Sequence, residues 1–80
     1  MTVTVLLFAS YADALGASSV ELPLAPGATV RDVVAALGRL PGAHKLPPSP
    51  LVAVNQSYAS YDGPVAAGDE VAVIPPVAGG

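Results

Sequence analysis

Thr29-Val30-Arg31-Asp32-Val33-Val34-Ala35-Ala36-Leu37-Gly38-Arg39-Leu40 is the stretch on which the fold turns. Val30, Val33, Val34, Leu37 and Leu40 recur at intervals of three, one, three and three, the spacing that lines apolar side chains along one face of a helix. Thr29 stands where an N-cap is needed, and Asp32 falls in the first turn, facing the positive end of the helix dipole. Pro41-Gly42 stops the pattern. The spacing predicts a helix over residues 30–40 with one stripe to bury.

The flanks say what that stripe covers. Upstream, Thr2-Val3-Thr4-Val5-Leu6-Leu7-Phe8-Ala9 is β-branched and apolar over eight residues, a length that suits a strand better than a helix. Tyr11-Ala12-Asp13-Ala14-Leu15-Gly16 reads as one helical turn closed by glycine. Val20-Glu21-Leu22-Pro23-Leu24 alternates as a second strand, and Pro23 puts it at a sheet edge. Downstream, residues 41–50 hold four of the nine prolines and read as a rigid, irregular crossing loop. Leu51-Val52-Ala53-Val54 reads as a short buried strand, Asn55-Gln56 as a tight turn and Ser57-Tyr58-Ala59 as a brief return strand. Asp62-Gly63-Pro64 and Gly68-Asp69 are turns, and Glu70-Val71-Ala72-Val73-Ile74 is a last strand stopped by Pro75-Pro76.

With one long helix, only one sheet face is covered, so the expected architecture is an α+β roll with a mixed five-strand sheet. The first and last strands can pair in the middle, which sends the C-terminus off the end of the sheet. That order is the one a β-grasp, or ubiquitin-like, fold requires. Residues 1–76 are expected to form this domain and residues 77–80 a flexible tail.

Composition narrows the function classes. In 80 residues, apolar types make up 52% and charged types 11%, the reverse of a disordered profile. A chain this short buries only about 60% of its unfolded surface, so its stability margin is thin. The net charge is −3, and Arg31, Arg39 and Lys45 are too few and scattered to neutralise phosphates or grip an anionic membrane. The apolar run at residues 3–9 lacks preceding basic residues and is too short for a signal peptide or a bilayer span. A soluble, cytoplasmic protein without nucleic-acid or membrane partners is expected. No cysteine is present, so neither a disulfide framework nor a thiolate metal site is available.

Conventional sites are missing as well. No glycine-rich phosphate loop precedes the helix. His44, the single histidine, lies in the proline-rich loop and reads as solvated. Asp69 and Glu70 are neighbours pointing to opposite faces, while Asp32 and Asp62 read as helix-start and turn residues. Ser10, Ser18 and Ser19 lack a base.

The tail is different. Pro75-Pro76 blocks both helix and continued strand pairing, and Gly79-Gly80 has no Cβ, so a narrow channel can close around it. A glycyl carboxylate is also the least crowded acyl carbon. Glycine is about 7% of residues, so a terminal pair arises by chance roughly once in two hundred chains. Strand parity adds a docking surface beside it. If the threonines mark the solvent side, Leu6 and Phe8 share the uncovered face; Glu70, Ala72 and Ile74 do the same in the last strand. Phe8 and Ile74 are then expected in one exposed apolar patch.

Together, Val5-Leu6-Leu7-Phe8-Ala9, Ala53-Val54-Asn55-Gln56, Asp69-Glu70-Val71-Ala72 and Ile74-Pro75-Pro76-Val77-Ala78-Gly79-Gly80 resemble the small subunit of molybdopterin synthase. That subunit is one of the ubiquitin-like sulfur carriers, which include the thiamine-pathway carrier. The similarity spans the whole chain, and the double proline favours the molybdopterin branch. Ala78 departs from the serine or threonine common there but keeps the tail slim.

The resemblance implies that the Gly80 carboxylate, carried by Gly79, is adenylated by a separate ubiquitin-activating-like enzyme. Sulfur from a sulfurtransferase or cysteine desulfurase then replaces AMP, leaving a thiocarboxylate that gives its sulfur to a pterin precursor in the large catalytic subunit. Phe8, Tyr58, Ile74, Pro75, Pro76, Val77 and Ala78 are the implied partner-binding residues. The chain itself would bind no cofactor or metal, ATP and Mg²⁺ being used by the activating enzyme. It would be a monomer alone and part of a hetero-oligomer in the complex, with no enzymatic activity of its own. The alternatives are a carrier for thiamine, tungsten cofactor, tRNA thiolation or cysteine, or a ubiquitin-like interaction module or modifier.

Overall fold

The computed structural model describes residues 1–46 and 49–75. Eight short elements succeed one another: β1 (Thr2–Leu7), α1 (Ser10–Leu15), β2 (Ser19–Pro23), α2 (Val30–Leu37), a 3₁₀ turn (Ala43–Lys45), β3 (Leu51–Val54), β4 (Ser57–Tyr58) and β5 (Glu70–Ile74). The strands form one sheet in the order β2-β1-β5-β3-β4. β1 and β5 run parallel in the middle, and every other pairing is antiparallel. This is the mixed five-strand β-grasp roll anticipated from the element order.

Period-two alternation divides the sheet into two faces. Val3, Val5, Leu7, Leu22, Val52, Val71 and Val73 point inward and are buried, and α2 closes over them with Val30, Val33, Ala36 and Leu37. Tyr11 from α1 seals one end of this core. Full burial of a valine contributes about 1.5–3 kcal/mol, and Val3, Val5, Val30, Val33, Val71 and Val73 are all at 0% exposure. No described helix is long and apolar enough to cross a membrane.

The ends of α2 have local causes. The Asp32 carboxylate accepts bonds from the Thr29 backbone N–H (2.8 Å) and from the Thr29 hydroxyl (3.2 Å), the acid half of a capping box. The N–H groups of Val30 and Arg31, orphaned at a helix start, donate to the carbonyls of Gly63 and Tyr61. Helix and β4–β5 loop are thereby tied together. The Arg31–Asp62 ion pair at 2.9 Å joins the same two segments, although both side chains are exposed and such pairs contribute little. The Tyr61 hydroxyl donates to the Pro50 carbonyl at 2.8 Å, and its ring lies under the Arg31 guanidinium.

Several boundaries differ from the sequence expectations. α2 ends at Leu37 rather than residue 40: the N–H groups of Arg39 and Leu40 bond three residues back, to Ala36 and Leu37. The last turn tightens there as helix ends commonly do. β1 stops at Leu7, two residues early, because Ala9 takes φ +47°, outside the extended region. β2 is shifted one residue towards the N-terminus, and β4 ends at Tyr58 although the Ala59 N–H still bonds Val52. The crossing loop holds the 3₁₀ turn at Ala43–Lys45. The expected turn at residues 11–16 is α1, closed by Gly16 at φ +73° with its N–H on the Ala12 carbonyl. The Asn55-Gln56 turn has both residues at positive φ, which matches the twist of a two-residue hairpin.

Candidate functional site

Among the described residues no helix or strand covers the face of the sheet opposite α2, and its register sorts the side chains into rows. Thr4 of β1 stands between Glu21 of β2 and Glu70 of β5. Two residues further along, Leu6 pairs with Ser19 and Ala72, Ala72 with Ala53, and Ala53 with Tyr58. In the row after that, Ile74 pairs with Leu51. Phe8 leaves β1 at the level of Ile74, because Leu7 is the partner of Val73.

Phe8 is 45% exposed, Leu51 42% and Tyr58 76%. These three are the large apolar side chains that stand exposed among the described residues, and all lie towards the same end of the open face. Ile74 and Pro75 are half-buried beside them. Leu51 corrects the expectation of a buried third strand: alternation turns Val52 to the core and Leu51 outward. The parity of β1 and β5 was readable from the threonines and Glu70. That of β3 needed the Leu51–Ile74 register, which no polar residue marks.

Ile74 is the last residue of β5, which is bonded to β1 on one side and β3 on the other. β5 therefore ends in the middle of the sheet, at the apolar end of the open face. Pro76, expected as the domain's last residue, and Val77, Ala78, Gly79 and Gly80, the expected tail with its reacting end, lie outside the described residues.

The other polar candidates have structural partners or open surroundings. Asp69 accepts bonds from the Ala66 N–H (2.8 Å) and the Asn55 amide (3.1 Å). The backbone bond chiefly, and Asn55 with it, holds its carboxyl below the usual aspartate value. It fastens the turn entering β5, while Asn55 Oδ1 takes the N–H of Glu70. Asp62 pairs with Arg31, and His44 is exposed on the 3₁₀ turn. Burial pushes the Tyr11 hydroxyl upward, with Tyr61 adding to it. Among the described residues no group of three histidine, cysteine or acidic side chains could hold a metal.

The sequence matches the ThiS family over residues 5–80. Its fold is similar to that of SAMP1 from Haloferax volcanii, with 33% identity, full coverage of both chains and a TM-score of 0.80. A putative molybdopterin converting factor subunit 1 from Pyrococcus furiosus is 30% identical, with 95% of this chain and 98% of that one covered at a TM-score of 0.83. A chain of the complex of subunits 1 and 2 of the molybdopterin-converting factor from Helicobacter pylori is 21% identical over both whole chains, with a TM-score of 0.70. At that identity the likeness speaks for the fold.

Proposed function

The chain belongs to the ThiS family, a small ubiquitin-like protein of the sulfur-carrier or modifier kind, and from that premise we propose that it carries sulfur on Gly80 for molybdopterin synthesis. The observation that carries the reading is the exit of the chain. The central strand β5 ends at Ile74 inside the exposed apolar patch, and the sequence then runs six residues to Gly79-Gly80. A partner gripping the patch holds the root of the tail in a fixed place, and the glycyl end reaches the partner's reacting centre.

A carboxylate is a poor electrophile. In this reading a separate adenylating enzyme, using ATP and Mg²⁺, joins AMP to the Gly80 carboxylate and releases pyrophosphate. The terminal sulfur of a persulfide on a sulfurtransferase or cysteine desulfurase displaces AMP. A second thiol cleaves the resulting acyl disulfide and leaves as a disulfide with the donor's sulfur, and the thiocarboxylate so freed is the nucleophile given to a pterin precursor in the large subunit. Phe8, Tyr58, Ile74 and Pro75 are the docking contacts, with Pro76, Val77 and Ala78 threading the channel. The chain supplies no cofactor and no enzymatic activity of its own, and it works in the cytoplasm. The resemblance to a converting-factor subunit 1 supports the pathway.

The likeness to the archaeal modifier favours a second reading, in which Gly80 is joined to lysine amines of other proteins. Mass spectrometry of the C-terminal peptide from native cells separates them. One oxygen exchanged for sulfur marks the carrier, and an isopeptide-linked remnant of this chain's C-terminus on lysines marks the modifier. Loss of molybdoenzyme activity on deleting the gene is the expected result for the pathway. Normal molybdoenzyme activity in the deletion strain refutes it.

A further inference from the structure

The apolar end of the open face is continuous with a row the docking reading leaves unused. Glu21 and Glu70 flank Thr4 from the two neighbouring strands, and both are exposed. Their α-carbons stand two strand spacings apart, about 10 Å, and the row lies about 7 Å along the strands from Leu6 and Ala72. The only ion pair among the described residues is Arg31–Asp62, so neither glutamate is matched by a cation among them. Arg31, Arg39 and Lys45 lie on α2, just after it and on the 3₁₀ turn, and none of them stands on this face.

A solvent-facing sheet and an edge strand such as β2 favour charged side chains in general, but not two of one sign flanking a single threonine. Glutamate is disfavoured in strands, and two like charges across one threonine add only repulsion. Ser19 holds the matching place in the next row without charge. The face is thus apolar at the end where β5 stops, and two rows back its charged side chains are both acidic.

Building on the docking reading above, we infer that the open face receives a protein surface of two parts. That surface is apolar against Phe8, Leu51, Tyr58 and Ile74, and it carries lysine or arginine opposite the Glu21–Glu70 row. The apolar part holds the complex together. The charged part steers approach and fixes orientation along the strands, because complementary rim charges act mainly on association rate and register. A partner with an apolar but acidic surface is turned away by the same row.

The test is stopped-flow association with the adenylating enzyme of the same organism. The wild-type chain is compared with Glu21→Gln/Glu70→Gln and with Asp13→Asn/Asp62→Asn, which removes the same charge elsewhere. All four positions are exposed, and circular dichroism checks each fold. The wild-type association rate is expected to fall steeply with salt. The glutamate double variant should associate about tenfold more slowly at low salt and equal the wild type at high salt. The aspartate pair should stay near the wild-type rate. Equal slowing by both pairs reduces the effect to net charge and overturns the inference, as does a wild-type rate indifferent to salt, a readout needing no variant. A wild-type chain that does not bind the adenylating enzyme at all refutes the sulfur-carrier reading itself, and this inference falls with it.

Discussion

Replacing Phe8 by serine tests whether the apolar end of the open face is a docking surface. The ring is 45% exposed, and an aromatic side chain offers about 200 Å², so a partner can cover about 90 Å² of it. At about 25 cal/mol/Å² that is about 2 kcal/mol, or roughly a thirtyfold weaker complex. The part already buried is about 110 Å², so serine also costs folding up to about 3 kcal/mol, an upper bound because unfolded chains bury some of that surface. Phe8 lies just past β1, so the sheet ladder is untouched. Titration calorimetry against the large synthase subunit reads the first effect, and thermal unfolding reads the second. The expected result is a cooperative, folded variant with a lowered melting temperature and binding weakened by more than tenfold. Binding within threefold of wild type by a folded variant would refute the docking role. An unfolded variant would assign Phe8 to the core.

Deleting Gly80 should abolish thiocarboxylate formation while leaving thermal stability nearly unchanged. The shortened chain stops about 3.5 Å short of a site where reacting atoms must meet within about that distance; substantial turnover by the deletion would remove the reason for placing sulfur on Gly80. Gly42→Ala should cost about 2–4 kcal/mol, because φ is +89° and a Cβ would run into the Ala14 carbonyl oxygen. Gly16→Ala, with φ +73° and open space around it, should cost about 1 kcal/mol, and equal melting temperatures for the two would contradict the packing of α1 on the 3₁₀ turn. The Asp69 carboxyl, lowered by the Ala66 N–H and Asn55, adds stability that is present above the unfolded aspartate value and lost as pH falls through its folded one. A carbon-detected NMR titration should place its midpoint below that of an unfolded-chain aspartate, and Asp69→Ala should flatten the acid limb of the stability curve.

What the sequence disclosed and what it withheld divide along physical lines. Strand-level alternation was legible wherever a polar residue marked the outward side. Thr2 and Thr4 oriented β1, and Glu70 oriented β5, so the core valines came directly from parity. β3 has only Leu, Val and Ala, and its outward face emerges only from pairing with β5. The start of α2 was readable because Thr29 and Asp32 do local chemistry. Its end was not, because Leu40 continues the apolar spacing after the backbone has tightened at Gly38. Tyr11 was hidden for a related reason: one short helical turn has no periodicity to reveal which side packs. The Glu21–Glu70 row is a tertiary property, formed by residues 49 positions apart that meet only through Thr4.

The central position of β5 sets a constraint on any partner. An edge strand can fray, and its last residue wanders; β5 is paired with β1 over Glu70–Val73 and with β3 over Val71–Ile74. Ile74, held by Leu51 and preceded by a residue paired on both sides, is therefore a fixed origin from which to measure the tail. Gly80 lies six positions further on, and at about 3.5 Å per extended residue its carboxylate can travel no more than about 21 Å from the Ile74 α-carbon. On the proposed function, a protein that grips Leu51, Ile74 and Phe8 and reacts at Gly80 must therefore keep its reacting centre within that radius. The strand's period of two tightens the constraint. One residue more or less between Glu70 and Pro75 would turn either Glu70 or Ile74 into the core, so the acidic row, the apolar anchor and the reach of the tail are set by the same five residues.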